Sequence, residues 1–364
     1  MSDGSFNTEY MKNIITVTGI RPDFIRMSEI FKKLDKDKSI NHVLIHTGQH
    51  YDNLLSDIFF KDLKLREPDF NLKIGSTKGL HYDQQAKVGP KLIKLIKKNN
   101  FDPDLILFLG DSNSVLASVP LRKEGYCIGH IEAGMRSYDS RMFEEINRKV
   151  CDHVSNYHFV YHSNYKNNLV KEGIPTNGIN VVGNTIVEPF KKVACNGETG
   201  KEYIILDIHR PENFNSENRM LNIVKTCNYI INEYNLPIKF LKFKRTYKKL
   251  KQYKIYLKNL ETIDLLGYKD YIKLMKKSYF IISDSGTAQE EPAILKKPVL
   301  VPRDFTERPE SIENNNSKLI NMNVFNKKQI KKYVNWALSD PKMNNRWLGD
   351  GKTSTRILNK IKTL

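Results

Sequence analysis

Short β-branched and apolar runs recur along the chain, each bounded by Gly, Asp or Asn. They are NIITVTG (13–19), HVLIHTG (42–48), DLILFLGD (104–111), CIGHIEAG (127–134), YHFVYH (157–162) and INVVGN (179–184). Runs of this length and composition read as buried strands. Between them lie segments whose apolar residues recur at helical spacing, among them 23–35, 84–99 and 143–154. That alternation implies βαβ units and a parallel sheet. In 143–154 the residues Phe143, Ile146, Val150 and Val154 mark the expected buried stripe, and Glu144 and Glu145 point away from it.

The polar, glycine-bearing stretch ACNGETGKE (194–202) interrupts the pattern as a linker does. The alternation then resumes with YIILDIH (203–209), IKFLKF (238–243), TIDLLG (262–267), YFIISDSG (279–286) and PVLVPRD (298–304). The expected fold is α/β, with two Rossmann-like halves at 12–194 and 203–350 facing a central cleft. A linker at 195–202 joins them, and the last helix, within 351–364, packs back on the first half. Residues 1–11 read as a disordered lead-in, with Met11 as an alternative start. The segment 71–85 lacks a clear pattern and reads as a mobile loop.

Composition narrows the class. The chain has 364 residues, 40% hydrophobic and 27% charged, which suits two globular domains with full cores. No apolar run approaches the ~20 residues of a membrane helix, and the N-terminus lacks a secretory h-region. The expectation is a cytoplasmic protein without membrane association. Cysteines at 127, 151, 195 and 227 form no C-x-x-C pair, so neither a zinc site nor a redox motif is indicated.

The net charge of +18 has two readings. One is nucleic-acid binding through LKFKRTYKKLKQYKIYLKN (241–259), where lysines interleave with Phe243, Tyr247, Tyr253 and Tyr256 as in a stacking platform. The other, which we favour, is an amphipathic helix with solvated lysines, plus a pocket for an anionic ligand.

Open parallel sheets bind ligands at the carboxyl ends of their strands, and the chemically distinctive residues follow strands directly. GIRPD (19–23) puts Gly19 in a tight turn, Pro22 in the first turn of a helix, and Arg21 beside N–H groups that attract anions, with Arg26 one turn on. In SDSGTAQEE (283–291), Ser285 and Gly286 open a helix able to bond phosphate, and a carboxylate at Glu290 or Glu291 suits the hydroxyls of a ribose. Plain helix capping by Asp284 or Ser285 explains part of the same motif. Asp111, Glu132, Glu144 and His209 are candidates for proton transfer. Against them stand two solvated i,i+4 pairs, Glu144–Arg148 and Glu145–Lys149, worth a few tenths of a kcal/mol each. His209 also reads as a core histidine bonded to a carbonyl.

GIRPDFIR, HTGQHYD, LGDSNS, HIEAGMRS, FEEINR, HRPEN, SDSGTAQEE, RDFTERPE and GDGKTSTRIL stand in this order from about residue 12 to the C-terminus. Nine ordered blocks resemble the non-hydrolysing UDP-N-acetylglucosamine 2-epimerase family. The resemblance implies a GT-B-like fold and inversion of C2 in a UDP-linked 2-acetamido sugar. No cofactor, metal or nucleic acid is implied, and a homodimer is. Arg21, Arg26 and His209 would hold the diphosphate, Tyr271 would lie against uracil, and Ser285, Gly286, Glu291 and Arg308 would complete the UDP site. Asp111, Glu132 and Glu144 match the family's catalytic carboxylates.

Four positions depart from the family pattern. Phe243 and Lys244 stand where a His-Pro often precedes Arg-Thr, Phe143 replaces a proline before Glu144, and Arg26 replaces a lysine. LGDSNS, SYDSRM, NLVKEGIP and SDSGT look like the branch acting on UDP-2-acetamido-2,6-dideoxy-L-hexoses, of the L-rhamnosamine/L-quinovosamine or L-talosamine/L-fucosamine type. UDP-N-acetylglucosamine and a diacetamido uronate stay open as substrates. A glycosyltransferase on the same fold and a nucleic-acid-binding protein are the rival functions.

Overall fold

A computed structural model describes residues 11–48, 62–75, 81–194 and 197–364. The lead-in at 1–10, HTGQHYD from position 49, the middle of the 71–85 segment, and Cys195 with the start of the linker lie outside the described residues. The chain divides into two compact units, Met1–Pro189 with Gly349–Leu364, and Phe190–Leu348.

The first unit holds a seven-stranded sheet of order β3-β2-β1-β4-β5-β6-β7. Its strands are β1 Lys12–Thr18, β2 Ile40–His46, β3 Phe70–Asn71, β4 Leu105–Leu109, β5 Ile128–Ile131, β6 Tyr157–Val160 and β7 Ile179–Val181. Every pair is parallel. Strand β4 is LILFL with all five side chains buried, the pattern of a strand covered on both faces. One covering layer includes the helix Arg21–Lys36, whose Met27, Ile30, Phe31 and Leu34 share a core with Ile357 and Ile361 of the last helix, Thr353–Lys362. Lys12 Nζ donates to the Leu364 carbonyl at 2.7 Å and Lys362 to Asp37 at 2.9 Å, which fixes that helix on this unit.

The second unit repeats the plan with six strands in the order β10-β9-β8-β11-β12-β13. They are β8 Tyr203–Asp207, β9 Ile238–Leu241, β10 Glu261–Ile263, β11 Ser278–Ser283, β12 Val299–Val301 and β13 Ser317–Leu319, again all parallel. The architecture is two Rossmann-like α/β domains, as the alternation predicts.

In each sheet the order of connection reverses once, between β1 and β4 and between β8 and β11. Loops leave such a point in opposite directions and open a crevice at the carboxyl ends. GIRPD follows β1 and Asp111 follows β4; His209 follows β8 and Asp284 follows β11.

Two features outside the strands bear on the sequence reading. Among the described residues no helix is long and apolar enough to cross a membrane. The basic stretch forms a helix at Lys244–Gln252 that buries Thr246 and Leu250. Two of its rings are covered by the chain's own lysines, Lys242 and Lys251 over Tyr247 at 5.2 and 5.0 Å and Lys249 over Tyr253 at 5.6 Å, while Tyr256 is exposed.

Candidate active site

In the first unit, the turn after β1 is built around Asp23. Its Oδ2 accepts from the N–H groups of Gly19 at 2.7 Å and Ile20 at 3.0 Å. A Cβ at Gly19 would come within 1.9 Å of Ser114 Oγ, so the loop after β4 admits only glycine here. Burial pushes the Asp23 carboxyl up to about 7 against those two N–H bonds, and the negative charges of Asp111 and Glu132 push the same way. Asp23, Asp111 and Glu132 therefore belong to one electrostatic cluster. Arg21 is half-buried at the first position of the helix, and Arg26 is 4% exposed.

Glu132 sits just past β5 with φ +71, a left-handed conformation that costs a non-glycine residue roughly 1–3 kcal/mol. Its carboxylate is held from two sides. Arg26 Nη1 lies 3.1 Å from Oε2, and the Tyr161 hydroxyl donates to Oε2 at 3.0 Å. Tyr161 is in turn 2.5 Å from Thr185 Oγ1, and Arg26 reaches Asn184 Oδ1 at 3.5 Å. The structure thus engages Arg26 with a catalytic candidate, where the resemblance implies diphosphate.

Asp111 is half-buried and pairs with Arg148. Asn147 Nδ2 donates to the Asp111 carbonyl at 2.9 Å. Arg148 is 2% exposed and also donates to Glu145 Oε2 at 2.7 Å. Glu145 accepts from Ser137 N–H and Oγ, both at 3.0 Å. Glu144 is half-buried in the first turn of the same helix, Phe143–Val154.

This geometry corrects the sequence reading of that helix. The apolar stripe is not its buried face: Phe143 is 72% and Ile146 58% exposed, and Val150 and Val154 are half-buried. The helix instead buries Glu145, Asn147, Arg148, Cys151 and Asp152. It covers a charged sheet edge, so its inner face carries partners for those charges, each paired as burial requires. Arg148 is buried and bonds Asp111 and Glu145, so it is not the solvated residue the i,i+4 reading assumes, while Glu145 keeps Lys149 as a distant partner at 3.6 Å.

Deeper still, His130 of β5 has acceptors on both ring nitrogens, Asp152 Oδ1 at Nδ1 and the Gly110 carbonyl at Nε2, each at 2.7 Å. Only an imidazolium donates from both. Burial opposes that charge, but neighbouring Cys151 and Asp152 outweigh it and hold the ring well above its ordinary range. Arg136 adds a 2.7 Å ion pair to Asp152 and bonds Glu172 at 2.7 and 2.6 Å, completing a charged network beneath the loop that bears Asp111.

In the second unit, His209 follows β8. Its Nδ1 lies 2.9 Å from Asp207 Oδ1 and its N–H donates to Asp284 Oδ1 at 3.0 Å. Asp284 Oδ2 accepts from Arg210 N–H at 3.1 Å and Asn213 Nδ2 at 2.9 Å. So Asp284 pins the loop after β8, and the expected capping of SDSGTAQEE does not occur. No side-chain cap forms there; Thr287–Gln289 makes one 3-10 turn starting at Gly286, followed by a short helix at Glu291–Ile294. A Cβ on Gly286 would meet Arg308 Nη1 at 2.4 Å and Glu307 Oε1 at 2.5 Å. Arg308 is buried and bonds Glu290 at 2.8 Å and Glu307 at 2.5 Å. Ser285 is half-buried, its N–H donating to Ser283 Oγ at 3.1 Å.

Glu291 is buried and accepts from the Tyr268 hydroxyl at 2.8 Å. Tyr271 carries a buried hydroxyl with no hydrogen-bond partner among the described residues, an arrangement that favours a polar partner from outside the chain. Burial pushes that hydroxyl well above its usual range, helped by the charges of Asp207 and Glu291.

Asp207, His209 and Asp284 bring one potential metal-ligating atom each within 4.8 Å of one another. All four carboxylate oxygens in this cluster already accept from a donor, which suits orientation of His209 better than coordination.

The structure brings Asp111 and Glu132 together in the first unit, and His209, Glu291 and Tyr271 around Asp207 and Asp284 in the second. Sequence reasoning missed Asp23, Arg148, Tyr161 and Asp207. A legible cue existed for Asp207, because residues two apart on a strand share a face. For Tyr161 and Arg148 no cue existed beyond residue type.

The family model described as UDP-N-acetylglucosamine 2-epimerase matches residues 32–362. A UDP-N-acetylglucosamine 2-epimerase of Methanocaldococcus jannaschii is 37% identical over 361 residues, covering 94% of this chain and 96% of that protein. A UDP-2,3-diacetamido-2,3-dideoxy-D-glucuronate 2-epimerase of Pseudomonas aeruginosa is 32% identical over 304 residues, or 81% of this chain and 84% of that one. The crystal structure of the M. jannaschii UDP-GlcNAc 2-epimerase with UDP-GlcNAc and UDP superposes with a TM-score of 0.88 at 36% identity, covering 97% of this chain and 100% of that one. With the family match spanning most of the chain and both switch points furnished as described, this protein belongs to the UDP-N-acetylglucosamine 2-epimerase family of isomerases.

Proposed function

We propose that the chain inverts C2 of a UDP-linked 2-acetamido sugar by eliminating and re-adding UDP. The C2 hydrogen is barely acidic, because C2 adjoins an amide nitrogen and not a carbonyl. Departure of UDP with the C1–O electron pair leaves positive charge on the ring. The C2 proton then passes to a carboxylate and a C1=C2 bond forms. Delivery of a proton to the other face of C2, with attack of the UDP oxygen on C1, completes the inversion. The scheme asks for acid–base groups serving both faces and for fixed positive charge at the departing diphosphate.

The observation that carries the reading is the coupled Asp23–Asp111–Glu132 cluster, with Arg26 on Glu132 and Arg148 on Asp111. Asp111, Glu132 and Glu144 serve as proton-transfer groups. Arg26 sets a positive charge beside Glu132, and Arg148 sets one beside Asp111. Arg21, Arg26, His209, Tyr271, Ser285, Gly286, Glu291 and Arg308 bind UDP. The unpartnered Tyr271 hydroxyl and the glycine-tight approach of Arg308 support that assignment.

For the sugar, the blocks LGDSNS and SDSGT favour a UDP-2-acetamido-2,6-dideoxy-L-hexose. The names of the archaeal relatives favour UDP-N-acetylglucosamine as the second reading. Incubation of the protein with a panel of both sugar types in D2O, followed by NMR, tests function and substrate together. Deuterium at C2 with UDP retained is expected. Free sugar with stoichiometric UDP would mean hydrolysis instead, and no change until an acceptor is added would mean glycosyl transfer.

A further inference from the structure

We propose that Asp207, braced by Ser283 and Asp284, is a positioning residue that holds His209 with its Nδ1 proton donated inward and its Nε2 edge presented to the diphosphate of the nucleotide sugar. The inference rests on the reading of His209 as a diphosphate contact.

Asp207 ends β8, and Ser283 of β11 stands opposite it in register. Ser283 Oγ donates to Asp207 Oδ2 at 3.0 Å, which leaves Oδ1 for His209 Nδ1 at 2.9 Å. A carboxylate accepts only, so the Nδ1 position carries the hydrogen. Asp284, fully buried, fixes the main chain through the N–H groups of His209 and Arg210. The Phe243 ring lies 4.7 Å from the imidazole at a 34° tilt and covers one face. Thr246, from the helix that follows Phe243, bonds the Ile208 carbonyl at 2.6 Å and holds the strand end beneath. Ring orientation, tautomer and backbone are each set by a separate contact. The half-exposed Nε2 edge has no hydrogen-bond partner among the described residues.

The groups facing the ring are Asp207 on β8, Asp284 after β11 and Arg210 next in the chain. Tyr271, on its own helix, lies within reach of the Asp207 charge, and Lys244 and Arg245 open the helix behind Phe243. Burial and Arg210 work against a charged ring, but Asp207 and Asp284 outweigh them and raise its proton affinity. A histidine held this way donates from Nε2 as a cation, which is what a departing diphosphate calls for.

The test compares full-length Asp207→Asn and Asp207→Glu with wild type. The His209 ring titration is followed by NMR, assigned by its loss in His209→Gln, alongside UDP affinity and turnover across pH. In Asp207→Asn the His209 midpoint is expected to fall by roughly one pH unit. Turnover should fall about ten- to a hundredfold, as when the outer partner of a working histidine is removed. Asp207→Glu should restore part of both. An unmoved midpoint overturns the Asp207 assignment whatever turnover does. A midpoint that falls while UDP affinity and turnover stay level upholds Asp207 as the group that sets the ring, and removes His209 from diphosphate binding instead. Should Asp207→Asn fail to fold, the tautomer of the neutral His209 ring in wild type is read from its 15N shifts: hydrogen on Nδ1 is expected, and hydrogen on Nε2 alone is equally fatal.

Discussion

Each unit carries a histidine–aspartate pair at the carboxyl end of its sheet, His130–Asp152 in the first and His209–Asp207 in the second, and their surroundings differ. In the first, His130 and Asp152 are fully buried, and both ring nitrogens end on acceptors inside the protein. In the second, His209 gives Nδ1 to Asp207 while its side chain stays 31% exposed. Both carboxylates raise the proton affinity of their ring. The difference lies in where the second N–H goes. A ring with both protons engaged internally is a fixed charge that supports the Gly110–Asp111 loop. A ring with one edge open is a charge offered to a ligand. Under the proposed function the same two side chains serve stability in one place and ligand binding in the other, and the count of internal partners separates them.

That contrast can be broken by substitution. The largest expected effect is in the closed network. Asp152→Asn leaves the buried His130 charge without its carboxylate and Arg136 with Glu172 alone, and should cost about 3–5 kcal/mol of stability, seen as a lowered midpoint in urea or heat. A variant as stable as wild type would show that the network is not what holds the loop.

Next come the groups the loops present. Glu132→Gln removes a carboxylate proposed to transfer the C2 proton and should lower C2 exchange in D2O by about 10²–10⁴-fold, with a melting temperature near wild type. Loss of folding in place of turnover would put Glu132 on the structural side of the comparison.

The pH dependence sharpens the contrast further. A histidine whose affinity for protons is raised by folding stabilises fully below its unfolded pKa of about 6.5. That stabilisation is lost as pH rises through the higher folded value. Asp152, lowered by its partners although burial opposes this, gives stability that is lost only as pH falls toward its folded value. Unfolding free energy should therefore decline above pH 6.5 in wild type, and the decline should be shallower in His130→Gln. Parallel slopes would contradict an imidazolium at His130. The smallest effect is expected for Tyr161→Phe, which removes one hydrogen bond to Glu132 worth about 1–2 kcal/mol, or a several-fold drop in turnover with little change in KM.

Much of this molecule is written in its sequence. The strand runs and the intervening helical spacing determine two parallel sheets, because an apolar run such as LILFL has nowhere to lie but between two covering layers. The placement of GIRPD, Asp111, Glu132 and His209 directly after strands was legible for the same reason: polar residues that end buried strands gather at one edge. What the sequence did not reveal was which side chains answer which. The Phe143–Val154 helix is the clearest case, since its apolar stripe predicts one buried face and the charged edge it covers demands the other. A helical pattern records periodicity alone, whereas burial depends on what lies opposite. Arg26 meets Glu132 across 106 positions of chain, Arg148 meets Asp111 across 37, and Ser283 meets Asp207 across 76. Those meetings are set by strand order and register, and so the roles of these residues were decided by tertiary structure alone.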